Sequence, residues 1–322
     1  MIQKIILYAK TLQPLLKWLK DNPDDKEIKY TVTRLIRFYS NTPMPELAEL
    51  RLTADYINKC SHGEGPGIHY TTIEKNPAHK GTHCITPKSP KGYFSLSAES
   101  RGKELILYIK EGDTITPLRM SMGMSGHFEL TNSGQESKHA HLKFHRKDGT
   151  TLSFVDVRRF GKWKSGETWS ANRGPDPTTE VDEFKYNIYK HLDKRAFDRP
   201  IHEILMNQQY FNGIGNYLRA EILYRLPQVN PFINAREVID NCPELIDLCT
   251  EIPRKAYALG GGQLKDWENP FKTDKEKIEK FIKCYNNSAM AWCKDKNGRR
   301  FWFDPKWYNS YLKMIENNLI KK

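Results

Sequence analysis

Five residues in the middle of this chain, Arg173-Gly174-Pro175-Asp176-Pro177, decide most of what it can fold into. Two prolines and a glycine so close together suit neither a helix interior nor a central strand, so they mark a turn-rich joint. The hydrophobic pattern changes across it. Before the joint, Tyr93 to Ala98 alternates, and Leu105 to Ile109 is a continuous β-prone run after a turn at Arg101-Gly102. His139 to His145 and Thr151 to Val157 flank Lys147-Asp148-Gly149 as a hairpin. A helix from Pro45 to about Lys59, with Leu47, Leu50, Ala54 and Ile57 near helical spacing, opens this β-rich stretch. Beyond the joint the chain reads as helical. Asp198 and Pro200 start a helix running through Ile201, Ile204 and Leu205 to about Gln209, and Phe211-Asn212-Gly213-Ile214-Gly215 breaks it. A second helix carries Tyr217, Leu218, Ile222 and Leu223, and others fill roughly 243–258 and 274–285. A second hairpin, Ala289 to Lys294 and Arg299 to Phe303, turns at Asn297-Gly298.

The chain has 322 residues and a net charge of +12, which favours a polyanionic partner such as nucleic acid or an acidic membrane surface. No apolar run is long enough to span a bilayer. The cysteines, Cys60, Cys84, Cys242, Cys249, Cys284 and Cys293, are scattered without a C-x-x-C pair, which argues against a four-cysteine zinc ribbon. In a chain of this length they read as reduced intracellular thiols. His139, His141 and His145 share one strand face, but no carboxylate or cysteine cluster joins them to make a metal site.

Met44-Pro45-Glu46 carries distinctive chemistry. If the mature chain begins at Pro45, its nitrogen is a secondary amine, and such amines titrate near ~8 against roughly 10.4 for lysine. A neutral secondary amine attacks an aldehydic sugar carbon and forms an iminium ion directly. Glu46 and Glu49 lie one helical turn apart, close enough to influence each other's protonation. Within the full chain the same nitrogen is an amide. Residues 1–43 read either as an extension joined upstream of a true start at Met44 or as a targeting leader. The first 20 of them would make an amphipathic helix kinked at Pro14, although Asp21, Asp24, Asp25 and Glu27 dilute a mitochondrial pattern.

The two glycines at 213 and 215 permit close approach of backbone to a ligand. The N–H groups opening the helix at Asn216 are expected to point outward as an anion site, with Asn216 on the same phosphate and Arg219 one turn on. An ordinary helical hairpin would account for the glycines equally well.

Taken together, several ordered segments resemble the formamidopyrimidine-DNA glycosylase/endonuclease VIII family. They are PELAEL at 45–50, SRGKELIL at 100–107, MGMSGHFEL at 122–130, HAHLKF at 139–144, FVDVRRFGKW at 154–163, the long run 196–226, and NGRRFWF at 297–303. The resemblance implies an α+β fold: an N-terminal helix on a β-sandwich (44–178), then a helix–two-turn–helix DNA-binding domain (179–270), a β-hairpin finger region without zinc ligands (271–310) and a tail (311–322). It implies a bifunctional DNA glycosylase and AP lyase for oxidised bases, mainly pyrimidines, that works by β,δ-elimination with no cofactor and no metal. Pro45 would attack C1′, Glu46 would protonate the sugar ring oxygen, and Lys103 would hold a phosphate and assist. Glu49 would be a second carboxylate near the lesion. Met124, Arg159 and Phe160 would fill the gap left by the extruded base, while Asn216 and Arg299 would contact phosphates. The partner is double-stranded DNA with oxidised bases or abasic sites, bound by a monomer with room for other repair proteins and no membrane. The nucleus is the expected location, or the mitochondrion if the extension is a genuine presequence.

The match has departures. Ala48 replaces the second proline of the opening motif, Asn207 stands where an aspartate is usual, and Gly262 stands in the lesion-reading loop where a lysine or arginine is usual. Lesion preference therefore does not carry over. A rival reading is a damaged-DNA-binding protein without catalysis, which applies if Pro45 is not the mature terminus.

Overall fold

The computed structural model describes residues 22, 24, 25, 45–62, 68–79, 84, 86–262, 267–273 and 275–320. The helix expected over the first 20 residues lies outside them. By contacts the chain forms two compact units, residues 43–293 with 301–322, and residues 1–42 with 294–300. Of the smaller unit, the turn at 294–300 is described best. Asp295 Oδ1 accepts the N–H of Asn297 and of Arg299, each at 2.9 Å, and Gly298 adopts φ +75°. This is the Asn-Gly turn that the sequence indicates.

The larger unit opens with α1 (Leu47–His62) and continues with β1 (Tyr70–Lys75), β2 (Ser95–Arg101), β3 (Glu104–Glu111), β4 (Thr114–Ser121), β5 (His127–Asn132), β6 (Ala140–Arg146), β7 (Thr150–Val155) and β8 (Lys162–Ser165). They form two antiparallel four-stranded sheets, ordered β1-β6-β7-β5 and β2-β3-β4-β8. Leu96, Leu107, Leu118 and Met120 of one sheet and Phe128, Leu142, Phe144, Leu152 and Phe154 of the other share one core. That is a β-sandwich. Helix α1 covers the edge strand β2, where the Asn58 side chain exchanges hydrogen bonds with both backbone groups of Ala98 (2.7 and 2.9 Å). The outward backbone groups of Ala98, on an otherwise open strand edge, are thereby satisfied.

The helical part comprises α2 (Val181–Lys190), a 3₁₀ turn (Arg195–Asp198), α3 (Ile201–Ile204), α4 (Asn216–Tyr224), α5 (Ala235–Asn241), α6 (Glu244–Ala258) and α7 (Glu276–Phe281). The hairpin strands β9 (Ala291–Lys294) and β10 (Arg300–Phe303) follow, then a 3₁₀ turn (Pro305–Trp307) and α8 (Tyr308–Ile320). Two expectations need correction. Helix α3 is a single turn and does not reach Gln209, because the Asn207 side chain accepts the Gln209 N–H and diverts the backbone into a turn. The stretch read as a tail is largely α8, whose Tyr311 packs on Phe232 with ring centres 5.5 Å apart.

The two halves of this unit have separate cores, and α1 serves both. Leu47, Ala48 and Leu52 join the helical core, while Leu50, Ala54, Ile57 and Cys60 join the sandwich core. The start of α1, with its two acids, is therefore placed at the seam.

Candidate active site

Glu46 is the hub. It precedes α1 and is 2% exposed, so its carboxylate must find partners in the protein. It finds them 169 residues later, at the start of α4. Oε2 accepts the N–H of Gly215 at 2.8 Å and of Leu218 at 3.2 Å, and Oε1 accepts that of Tyr217 at 3.0 Å. The expected outward-facing anion site is thus corrected. The N–H groups that open α4 hold the protein's own carboxylate, placed where the helix dipole favours negative charge. Burial pushes the Glu46 pKa up, while the Lys103 charge and these N–H donors pull it down.

Glu49, fully buried, lies beside it. Its Oε2 accepts the Glu46 N–H at 2.7 Å, and its Oε1 accepts the Tyr217 hydroxyl at 2.9 Å and the Gly262 N–H at 2.6 Å. Burial, reinforced by the charge on Glu46, pushes the Glu49 pKa up to about 7. A solvated helix start would leave both acids ordinary. Instead they can retain a proton at pH values where an exposed carboxyl has lost it. Pro45 is buried immediately before them.

Lys103 arrives from the β2–β3 turn, and its Nζ donates to Ile214 O at 3.1 Å. Its position depends on residues that motif reading passed over. Asp176 Oδ2 accepts the Gly102 N–H at 2.7 Å, and Arg101 forks onto Glu180 at 2.6 and 3.1 Å. Gly102 has φ +57°, and any Cβ there would overlap the Asn212 amide. Gln208 clamps the other wall, accepting the Gly213 N–H at 3.0 Å and donating to Ile214 O at 2.9 Å. The turn-rich joint was a visible signal for Asp176. Tyr217 carried none as a site residue, since its partner Glu49 is distant in sequence, and Gln208 carried none because its partners at Gly213 and Ile214 are backbone groups that no side-chain pattern announces.

Asn216 is close to this group, but its Oδ1 is taken by Arg219 Nε (3.1 Å) and Nη2 (2.7 Å). Arg219 itself is fully buried, with its guanidinium 4.9 Å from the Phe301 ring centre, so it is a structural cation and no phosphate ligand. Met124, Arg159 and Phe160 form a second cluster on two touching turns of the sandwich. Met124 follows Gly123 (φ +63°), where a Cβ would come 2.6 Å from Gly161 N. Phe160 is 51% exposed. Arg159, at φ +57°, donates to Ala78 O at 3.2 Å, whereas Arg158 stacks on Phe160 at 4.9 Å. Arg158 was not singled out from the sequence. Arg299 belongs to the smaller unit, where its N–H donates to Asp295.

A cleft of about 270 Å³ adjoins Glu49, lined by Tyr217, Gly262, Ile278, Ile282, Tyr285 and Asn286 among others. Among the described residues, no group of three or more His, Cys, Asp or Glu could hold a metal ion. His141 and His145 are engaged by Asp156 O (2.9 Å) and by Thr151 and Glu74 (3.1 Å each).

The family model for the formamidopyrimidine-DNA glycosylase N-terminal domain matches residues 44–163. Endonuclease 8-like 1 of Homo sapiens is 34% identical over 296 residues, covering 81% of this chain and 73% of that protein. Formamidopyrimidine-DNA glycosylase of Haemophilus ducreyi is 28% identical over 249 residues, covering 70% and 82%. Among solved structures, Lactococcus lactis Fpg (MutM) in complex with DNA containing N7-benzyl-Fapy-dG aligns with a TM-score of 0.66 at 23% identity, covering 82% of this chain and 99% of that one. The MutM (Fpg) protein of Thermus thermophilus gives 0.65 at 22% identity, covering 82% and 98%. The fold and the human relative agree: this chain belongs to the formamidopyrimidine-DNA glycosylase/endonuclease VIII family.

Proposed function

We propose that this chain is a base-excision DNA glycosylase and AP lyase that removes oxidised bases, pyrimidines first, from duplex DNA. The observation that carries the reading is Glu46: a buried carboxyl next to Pro45, within reach of the Lys103 charge and seated on the N–H groups of α4. Burial raises its pKa, the direction that suits a proton donor.

When Pro45 is the terminal residue, its nitrogen lone pair attacks C1′ of a nucleotide rotated out of the helix. The base leaves with the electrons of the glycosidic bond and is protonated, while the Pro45 nitrogen sheds the proton it carried as an amine and so regains its lone pair. Glu46 gives its proton to O4′ as the C1′–O4′ bond opens, leaving an iminium between Pro45 and the sugar. The iminium acidifies C2′; loss of that proton expels the 3′ phosphate, and a second elimination expels the 5′ phosphate. Lys103 steadies a phosphate beside the lesion. The cleft next to Gly262 and Tyr285 accepts the extruded base, while Met124 and Phe160 enter the vacated space with Arg158 or Arg159 on the orphaned partner. Burial of Cys284 and Cys293 and the aromatic packing of Phe301 and Phe303 suit a finger held without zinc. The nucleus is the proposed site of action, and the enzyme acts as a monomer.

The test is borohydride trapping with protein beginning at Pro45 and a duplex carrying an abasic site. A covalent protein–DNA adduct is expected. Its absence would overturn the reading. In a chain acylated at Pro45 the lone pair is unavailable, so the same groove would bind damaged DNA without cutting it. Mass spectrometry of the native N-terminus separates these two forms.

A further inference from the structure

Asp156, just past β7, is fully buried and takes no part in the chemistry described above. Its carboxylate is divided between the two turns that carry Met124 and Phe160. Oδ1 accepts the Ser125 hydroxyl at 2.5 Å and the Arg158 N–H at 3.1 Å, and Oδ2 accepts the Gly161 N–H at 2.7 Å. The backbone of Asp156 is fixed as well. Its N–H donates to His139 O at 3.0 Å, its carbonyl accepts the Arg159 N–H at 3.3 Å, and His141 Nε2 lies 2.9 Å from the same oxygen. His141 is backed in turn by His79, with ring centres 5.0 Å apart, and His79 by Trp163 at 4.8 Å. A buried carboxylate with both oxygens engaged thus braces the turns that end in an exposed aromatic ring and a half-buried methionine, two apolar groups held out where no core receives them.

We infer that Asp156 is a positioning residue that sets Met124 and Phe160 at a fixed separation, so that both enter the base stack as one wedge. The inference rests on the glycosylase reading. Intercalating side chains must offset the cost of unstacking. Tips on slack turns would lose conformational entropy on insertion that tips on braced turns have already lost. An abasic site has no base to extrude, so slackening the wedge should slow base removal and largely spare strand cleavage at a preformed abasic site. An aspartate that served folding alone would lower both activities together.

The experiment compares wild-type protein beginning at Pro45 with Ser125→Ala and Asp156→Asn in single turnover. One substrate is a duplex with thymine glycol and the other has a preformed abasic site; 2-aminopurine next to the lesion reports unstacking. Loss of a hydrogen bond to a charged acceptor predicts roughly 10-fold slower excision for Ser125→Ala, with abasic-site cleavage changed less than about threefold. Asp156→Asn, which turns an acceptor into a donor facing N–H groups, should fall further on excision and reduce the 2-aminopurine signal. Equal losses on the two substrates, or no loss on either, would overturn the inference. If Asp156→Asn does not fold, Ser125→Ala decides by itself. Wild-type protein inert on both duplexes would overturn the glycosylase reading and this inference with it.

Discussion

Gly215 touches Glu46 at two levels: its N–H donates to Oε2 at 2.8 Å, and a Cβ on it would overlap both the Glu46 carboxyl and the Lys103 ammonium. The backbone there is extended, so the glycine serves space and not conformation.

Gly215→Ala should therefore displace the acid and the lysine together. Overpacking of this kind costs about 1–3 kcal/mol. A displacement near 1 Å is enough to cost roughly 100-fold in rate. Thermal melting and single-turnover cleavage of an abasic-site duplex check both; unchanged cleavage would contradict the geometry.

The raised Glu49 pKa has a signed consequence for stability. From the ordinary value of 4.5 up to about 7, the folded chain holds a proton that the unfolded chain has released. Stability should thus fall as pH rises through that window and level off above it, by an amount on the order of 3 kcal/mol. Urea unfolding between pH 4 and 8 reads this directly. Glu49→Gln should flatten the slope while lowering stability at the acid end, since an amide cannot accept the Glu46 N–H together with its other two donors.

Glu221 was not a candidate from sequence, yet it is fully buried and anchors one wall of the cleft. It accepts the N–H of Lys283 (3.0 Å), Cys284 and Tyr285 (2.8 Å each), and Arg225 Nη1 at 2.6 Å. Glu221→Ala strands those donors and should cost about 3–5 kcal/mol. Urea midpoints should show the loss, and amide exchange should quicken first at 283–285.

All six cysteines are free and buried, and burial raises the pKa of Cys60, Cys242, Cys249 and Cys284. Native protein should react slowly with an aromatic disulfide reagent, and six thiols should appear promptly in denaturant. Fast titration of any thiol in the native state would show that its cover opens.

What could be read from the sequence divides by range. The α1 acids were legible as a pair because three residues in a helix make one turn, and the β6–β7 hairpin because Asp148-Gly149 sits between alternating runs. Strand β1 escaped notice because only Tyr70 in it is buried, so it has no repeating apolar signal. Strand β8 is four residues long and buries only Trp163. Helix α2 shows a stripe of only Phe184 and Ile188. The use of the α4 N–H groups could not be foreseen locally, because the anion they bind comes from the other end of the unit. The roles proposed for Lys103 and for the Met124 and Phe160 turns came through family resemblance. Asp156 and Arg158 lay inside the same motif but were outshone by their neighbours.

Because α1 inserts one side into each of two cores, the acids at its start have no proper surroundings until both have formed. A sandwich expressed without the helices would leave Leu47 and Leu52 facing water and Glu46 as an ordinary hydrated acid. The buried state of both acids is thus conditional on complete folding, and a truncated or half-denatured copy would lack it.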